Sequence, residues 1–365
     1  MSTQTAPLES SGSSPGTKPT GPVAGRRMPA VISWLLAAGS LGLGALLSVA
    51  LTGGLGITLA VVIGAVIWVI ANWLVARSML GRRQGTDRLV TSLVTMAFII
   101  ALIPLVSVVY TAISRGYARF DVAFFTETLE GVLGPGGGAA HAIVGTLIIT
   151  AIASVISIPI GILAAVYLVE YGKGRLKRAI TFLVDVMTGI PSIVAGLFAF
   201  ALFSILLGDP GHRSGLAGGI ALSVLMIPVV VRSVEEMLKL VPNELREASY
   251  ALGIPKWLTI TKVVIPTSIA GIASGVTISI ARVIGETAPL LIVAGFTFNM
   301  SLDATAGRMM SLPVYIYSQF ATPSLPPQAS YDRAWTAALV LIIIVMVLNL
   351  GARTVAAFFA PKSRA

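Results

Sequence analysis

The sequence predicts an all-α, polytopic membrane helix bundle, on three observations. Of its 365 residues, 56% are hydrophobic and only 11% are charged, where a soluble domain carries about 25% charged residues. The mean hydropathy is +0.92. The apolar residues fall in unbroken runs of about 20, the length a helix needs to cross a hydrocarbon core of about 30 Å. Only helices and closed barrels satisfy their backbone hydrogen bonds in lipid, and runs of this length specify helices. This composition excludes a soluble enzyme, a disordered chain and a disulfide-stapled secreted domain. There is no cysteine, hence no disulfide, thiolate nucleophile or cysteine metal site. His141 and His212 are the only imidazoles, too few for a histidine-built metal or acid–base centre. No catalytic residue is expected.

Residues 1–25 are rich in Ser, Thr, Pro and Gly, and 1–29 read as a disordered tail. Arg26 and Arg27 precede the first apolar run, but that run is too long for a signal-peptide core and a second span follows at once. The spans fall at 30–51, 55–76, 89–111, 141–169, 179–207, 216–234, 267–296 and 335–351.

The net charge of +10 would suggest nucleic acid in a soluble protein. Here the basic residues sit in short loops between apolar runs, without aromatic residues interleaved along a basic groove. They orient the chain instead. With the amino terminus inside, inner segments hold 19 Lys and Arg and outer segments hold 5, with Arg282 left inside a span. That bias places both termini in the cytoplasm of a multi-pass protein in the plasma or inner membrane. Two longer outer segments remain. Residues 112–140 contain Gly134-Pro135-Gly136-Gly137-Gly138, read as a flexible break. Residues 297–334 contain Leu312-Pro313-Val314-Tyr315-Ile316-Tyr317, read as an ordered aromatic segment at the membrane surface.

Between the sixth and seventh spans the inner loop reads Pro242-Asn243-Glu244-Leu245-Arg246-Glu247-Ala248-Ser249-Tyr250-Ala251-Leu252-Gly253-Ile254-Pro255. Asn243 is a candidate helix cap. Glu244 and Glu247 suit the positive end of the helix dipole. Leu245, Ala248, Ser249 and Leu252 recur at helical spacing and predict one face of apolar and small residues. Gly253 fits the carboxy-terminal cap and Pro255 prevents continuation. A helix this short is marginal alone, so it needs a surface.

Arg282 and Glu286 are four residues apart in Arg282-Val283-Ile284-Gly285-Glu286-Thr287-Ala288-Pro289, a spacing that predicts one helical face. An arginine at a helix centre costs roughly 2.5–3.5 kcal/mol, so it belongs in a structural ion pair or an anion pathway. Gly285 and Pro289 predict a helix break, and broken helices line cavities. Asp185 and Arg232 form a second candidate pair if their helices touch. Gly271 and Gly275, with Gly189, Gly196, Gly215, Gly218 and Gly219, predict close helix packing.

Glu247-Ala248-Ser249, then Gly253, then Val263-Val264-Ile265-Pro266 resembles the EAA loop of ABC importer permeases, with Ser249 in place of the usual second alanine. With Glu170-Tyr171-Gly172, the segment Gly189 to Phe198, Gly285 to Leu291 and Leu312 to Tyr317, residues 89–357 resemble the PstA family of phosphate importer permeases. The resemblance implies a type I permease core of six spans, preceded here by two additional spans and a basic loop (residues 30–88). It implies a coupling loop at 235–266 and a cytoplasmic tail at 358–365. It also implies a PstC-like permease, two PstB-like ATPase subunits and a PstS-like phosphate-binding protein as partners. In that family Glu244, Glu247, Ala248, Ser249 and Gly253 would meet the ATPase. Arg232, Arg282, Glu286 and Thr287 would line the phosphate path, with Asp185 a charge partner. No phosphate-binding ATPase loop occurs in this chain, so ATP and Mg would bind the ATPase subunits. The resemblance suggests phosphate, while the intramembrane charges by themselves support only an anion. A permease for another oxyanion such as molybdate, an ion-coupled secondary transporter using Glu286, and a non-transporting scaffold or sensor remain alternatives.

Overall fold

In the computed structural model, residues 30–53 and 56–359 are described, and helix is the only regular secondary structure among them. The tail expected at 1–29, and residues 360–365 of the expected carboxy-terminal tail, lie outside the described residues. The chain divides into two compact units, Met1–Ser107 and Val108–Ala365.

The first unit holds α1 (Ala30–Thr52), α2 (Ile57–Leu80) and the larger part of α3 (Arg82–Gly116). Lipid removes the hydrophobic drive between helices, so close backbone approach takes its place. A Cβ on Gly44 would lie 2.3 Å from the Ala60 carbonyl oxygen and 2.6 Å from the Gly64 nitrogen. That crossing seals the α1–α2 hairpin. Asn72 Nδ2 donates to Ser92 Oγ at 3.1 Å and ties α2 to α3.

The second unit contains α4 (Val122–Thr126), α5 (Ala140–Val166, continued by a π turn, Tyr167–Tyr171), α6 (Gly174–Thr188), α7 (Ser192–Leu207) and α8 (Gly215–Lys239). It goes on through α9 (Asn243–Ala251), α10 (Lys256–Thr259, then a π turn, Ile260–Val264), α11 (Ile265–Ile284), α12 (Ala288–Val293), α13 (Leu312–Ala321) and α14 (Pro327–Phe359). The core is built round α8, whose Met226, Val230, Val234 and Leu238 are fully buried. Their spacing of four residues makes one stripe. The predicted small-residue contacts form. Gly271 faces Met237, Gly275 faces Ser233, Gly219 faces Ile152, Gly218 faces Ala294, Gly215 faces Met309 and Gly196 faces Pro289. Gly189 is the exception, since it ends α6 instead of packing against another helix.

Among the described residues, seven helical segments are long and apolar enough to cross a membrane. The straight fifth span expected at 179–207 is instead a pair, α6 and α7, bent by 106°. Gly189-Ile190-Pro191 causes the break, because proline lacks an amide proton and keeps the preceding residue out of the helical region. The break predicted in the seventh span is present between α11 and α12.

The two segments expected on the outside differ from expectation in their structure. Gly134–Gly138 is clamped. Arg333 Nη1 donates to the carbonyls of Gly134 at 2.7 Å and Gly136 at 3.0 Å. Arg119 Nη2 donates to Gly137 O at 2.9 Å. Arg333 is 2% exposed, and its remaining donors reach Gln319 Oε1 at 3.0 Å and the Ser324 and Ser330 hydroxyls at 3.1 Å. All five guanidinium protons thus find neutral acceptors, which makes burial of the charge tolerable. The Leu312–Tyr317 segment turns inward as the start of α13, with Leu312, Val314 and Tyr315 fully buried. Tyr315 Oη donates to Gly138 O at 3.3 Å, and burial pushes its phenol above the usual tyrosine range.

Candidate coupling loop and charged path

The inner loop folds as the short helix α9. Asn243 is its first residue and does not cap it, because its Oδ1 accepts from Arg246 Nη1 at 3.3 Å instead. The other end matches the prediction. Gly253 takes φ +75°, its amide donates to Tyr250 O at 2.9 Å, and the Ile254 amide donates to Ser249 O at 3.2 Å. These two bonds make a Schellman cap. The predicted single face is divided. Ser249 alone is buried, with Oγ 2.8 Å from Thr259 Oγ1. Leu245, Ala248 and Leu252 remain exposed, as do Glu244, Glu247 and Gly253.

The anchor of α9 is Arg246, which sequence reasoning left among the loop charges. Its Nε and Nη2 donate to Glu170 Oε1 at 3.0 and 2.9 Å. Nη1 and Nη2 also donate to the carbonyls of Val241 at 2.6 Å and Leu238 at 3.0 Å. The two side chains are 12% and 5% exposed. Lys256 adds a bond from Nζ to the Glu170 carbonyl and lies 4.9 Å from the Tyr171 ring centroid. The π turn that ends α5 is thereby bolted to both sides of the loop. Glu170, a carboxylate closing an apolar run, was the signal for a cationic partner.

Arg232 and Asp185 meet as the sequence allowed. Arg232 Nη2 bonds Asp185 Oδ1, and its Nη1 donates to Glu235 Oε2 at 2.8 Å. Lys239 closes the chain on Glu235 Oε1 at 2.8 Å. The network joins α6 to the carboxy-terminal part of α8, and both carboxylates already neutralise Arg232.

Arg282 and Glu286 do not share a helical face. α11 ends at Ile284, and the Glu286 amide turns back to Val283 O at 3.1 Å. No ion pair joins the two among the described residues. Arg282 is exposed, while Glu286 and Thr287 are half-buried. The contacts of Gly271 with Met237 and Gly275 with Ser233 run antiparallel. Continued along both helices, that register sets Arg282 level with Met226, near the middle of α8. A cation at this depth, uncovered by its own chain, requires water, an anion or another protein surface.

A family profile described as "Binding-protein-dependent transport system inner membrane component" matches residues 157–365. "Phosphate transport system permease protein PstA 1" of Mycobacterium tuberculosis (strain ATCC 25618 / H37Rv) is 48% identical over 274 residues, 74% of this chain and 87% of that protein. The protein named PstA from Pasteurella multocida (strain Pm70) is 40% identical over 283 residues, 77% of this chain and 97% of that one. A bacterial alginate ABC transporter, solved in complex with an alginate pentasaccharide-bound periplasmic protein, superposes with a TM-score of 0.52 at 18% identity. That match covers 74% of this chain and 94% of the other and bears on the fold alone. On the profile match and these relatives, the chain belongs to the binding-protein-dependent transport system inner membrane components.

Proposed function

We propose that the chain is the non-catalytic permease subunit of an ATP-driven phosphate importer and forms the translocation path with a second, PstC-like permease. The observation that carries the reading is α9. It is sharply capped and fixed to α5 through Arg246 and Glu170, and it presents Leu245, Ala248 and Leu252 outward. A helix held this way moves as a piece with the bundle when another protein pushes on it. Phosphate as substrate is supported by the names of the PstA relatives.

In this reading residues 89–357 are the transporting domain, 235–266 the coupling loop, and 30–88 an additional hairpin. Both termini face the cytoplasm. A PstS-like protein delivers phosphate at the outer face. Two PstB-like ATPase subunits bind ATP and Mg, close, and drive α9 through Glu244, Glu247, Ala248 and Gly253, with Ser249 holding the inner side. Arg282 offsets the charge of the dehydrated anion, and Glu286 and Thr287 lie in the break that follows α11. Arg232 meets the anion only after its bonds to Asp185 and Glu235 part. No covalent step falls to this chain.

The test is uptake of labelled phosphate by proteoliposomes carrying the complete complex. Uptake requires ATP and the binding protein, and excess unlabelled molybdate leaves it largely intact. ATP-driven uptake of molybdate without phosphate would assign another oxyanion. Uptake driven by a proton gradient without ATP would assign a secondary transporter.

A further inference from the structure

We propose that the turn joining α2 to α3 is a seat for the phosphate headgroup of an anionic phospholipid. The argument begins with depth. The apolar stretch Leu59–Leu80 ends two residues before Arg82, and the next apolar run begins at Leu89. The turn is therefore held at the headgroup level of the bilayer. Between residues 77 and 88 it carries Arg77, Arg82, Arg83 and Arg88 against one carboxylate, Asp87. None of the five takes part in an ion pair among the described residues.

The turn is compact. A Cβ on Gly85 would lie 2.9 Å from Arg77 Cα, so the last turn of α2 abuts the first turn of α3. The Arg77 guanidinium lies 5.4 Å from the Trp73 ring centroid. Indole rings settle at the headgroup level, which fixes the height of that cation. On the first turns of α3 an open surface hollow of about 640 Å³ is lined by Arg82, Arg83, Thr86, Asp87 and Val90. Two guanidinium groups offer planar, paired donors to phosphate oxygens.

The apolar wall selects the lipid over the free ion. Val90 is 54% exposed and stands where the glycerol and acyl ends of a lipid would cover it. An inorganic phosphate ion would leave that wall in water. Basic residues placed at a membrane surface strengthen anionic-lipid binding by roughly fivefold each.

The experiment uses the full chain purified in detergent, titrated with phosphatidylglycerol or phosphatidylcholine and read by native mass spectrometry. Wild type retains phosphatidylglycerol at least fivefold better than phosphatidylcholine. Arg82→Gln with Arg83→Gln removes that preference, and Arg82→Lys with Arg83→Lys keeps most of it. Both positions are exposed, so the melting temperature stays unchanged and a folding defect is separable. Equal retention of the two lipids by wild type overturns the proposal. Undiminished preference in the double glutamine variant places the lipid elsewhere and overturns it too. Displacement of the lipid by millimolar inorganic phosphate assigns a free-anion site instead.

Discussion

The inner loop and the α11–α12 break each hold an arginine that a chain this apolar should avoid, and they treat it in opposite ways. Arg246 is sealed, with a buried carboxylate on one side and backbone carbonyls on the other. Arg282 is bare on the surface of its own chain, on a helix that stops two residues later. A sealed charge fixes geometry, because removing either partner strands the other. A bare charge in mid-span contributes nothing to the isolated fold and makes sense only through what it meets. Arg333, caged by neutral acceptors, belongs with Arg246.

The contrast breaks most visibly in stability. Arg246→Ala leaves Glu170 buried without its cation, a state that costs roughly 3–5 kcal/mol. The expected outcome is a large drop in melting temperature and loss of phosphate uptake. A wild-type melting temperature would show that the pair is not structural. The exchanged pair Arg246→Glu with Glu170→Arg recovers only part of the loss, because the carbonyls of Val241 and Leu238 lose their donors.

Gly253→Ala has a smaller effect. At φ +75° a side chain costs roughly 1–2 kcal/mol, spent at the end of α9. ATP turnover by the assembled complex then persists while uptake per ATP falls. Equal losses of both would mean that the cap serves folding and not coupling.

Arg282→Gln is expected to shift stability least, by less than about 0.5 kcal/mol, as for exposed sites without partners, and yet to abolish uptake. Arg282→Lys falls between, retaining charge without the planar fork. Since no ion pair to Glu286 exists, adding Glu286→Gln rescues nothing. Near-normal uptake by that double variant would remove Arg282 from the path. Orientation has its own check without any stability change. A cysteine at Leu133, 95% exposed, labels from outside, and one at Leu252, 79% exposed, labels only from inside. Reversed labelling overturns the topology.

Much of this architecture is local and was legible for that reason. The number and place of apolar runs follow from the thickness of the bilayer. The end of α9 follows from glycine's freedom at positive φ, and the break after Ile284 from Gly285 and Pro289. The bend between α6 and α7 was equally local, yet hydropathy averaging carried the fifth span straight through Pro191.

What only the tertiary structure decided is which charges find each other. Arg246 and Glu170 are 76 residues apart, and Arg333 reaches a carbonyl 199 residues away. The spacing of Arg282 and Glu286 predicted one shared helical face, which the helix end prevents, while Asp185 and Arg232 met because α6 turns to lie against α8. Residue spacing constrains partners only inside one uninterrupted helix. Across a break or a loop the partner is chosen by packing. So the sequence by itself determined the apolar runs and the capped end of α9, and the folded chain determined that Arg246 is locked and Arg282 is open.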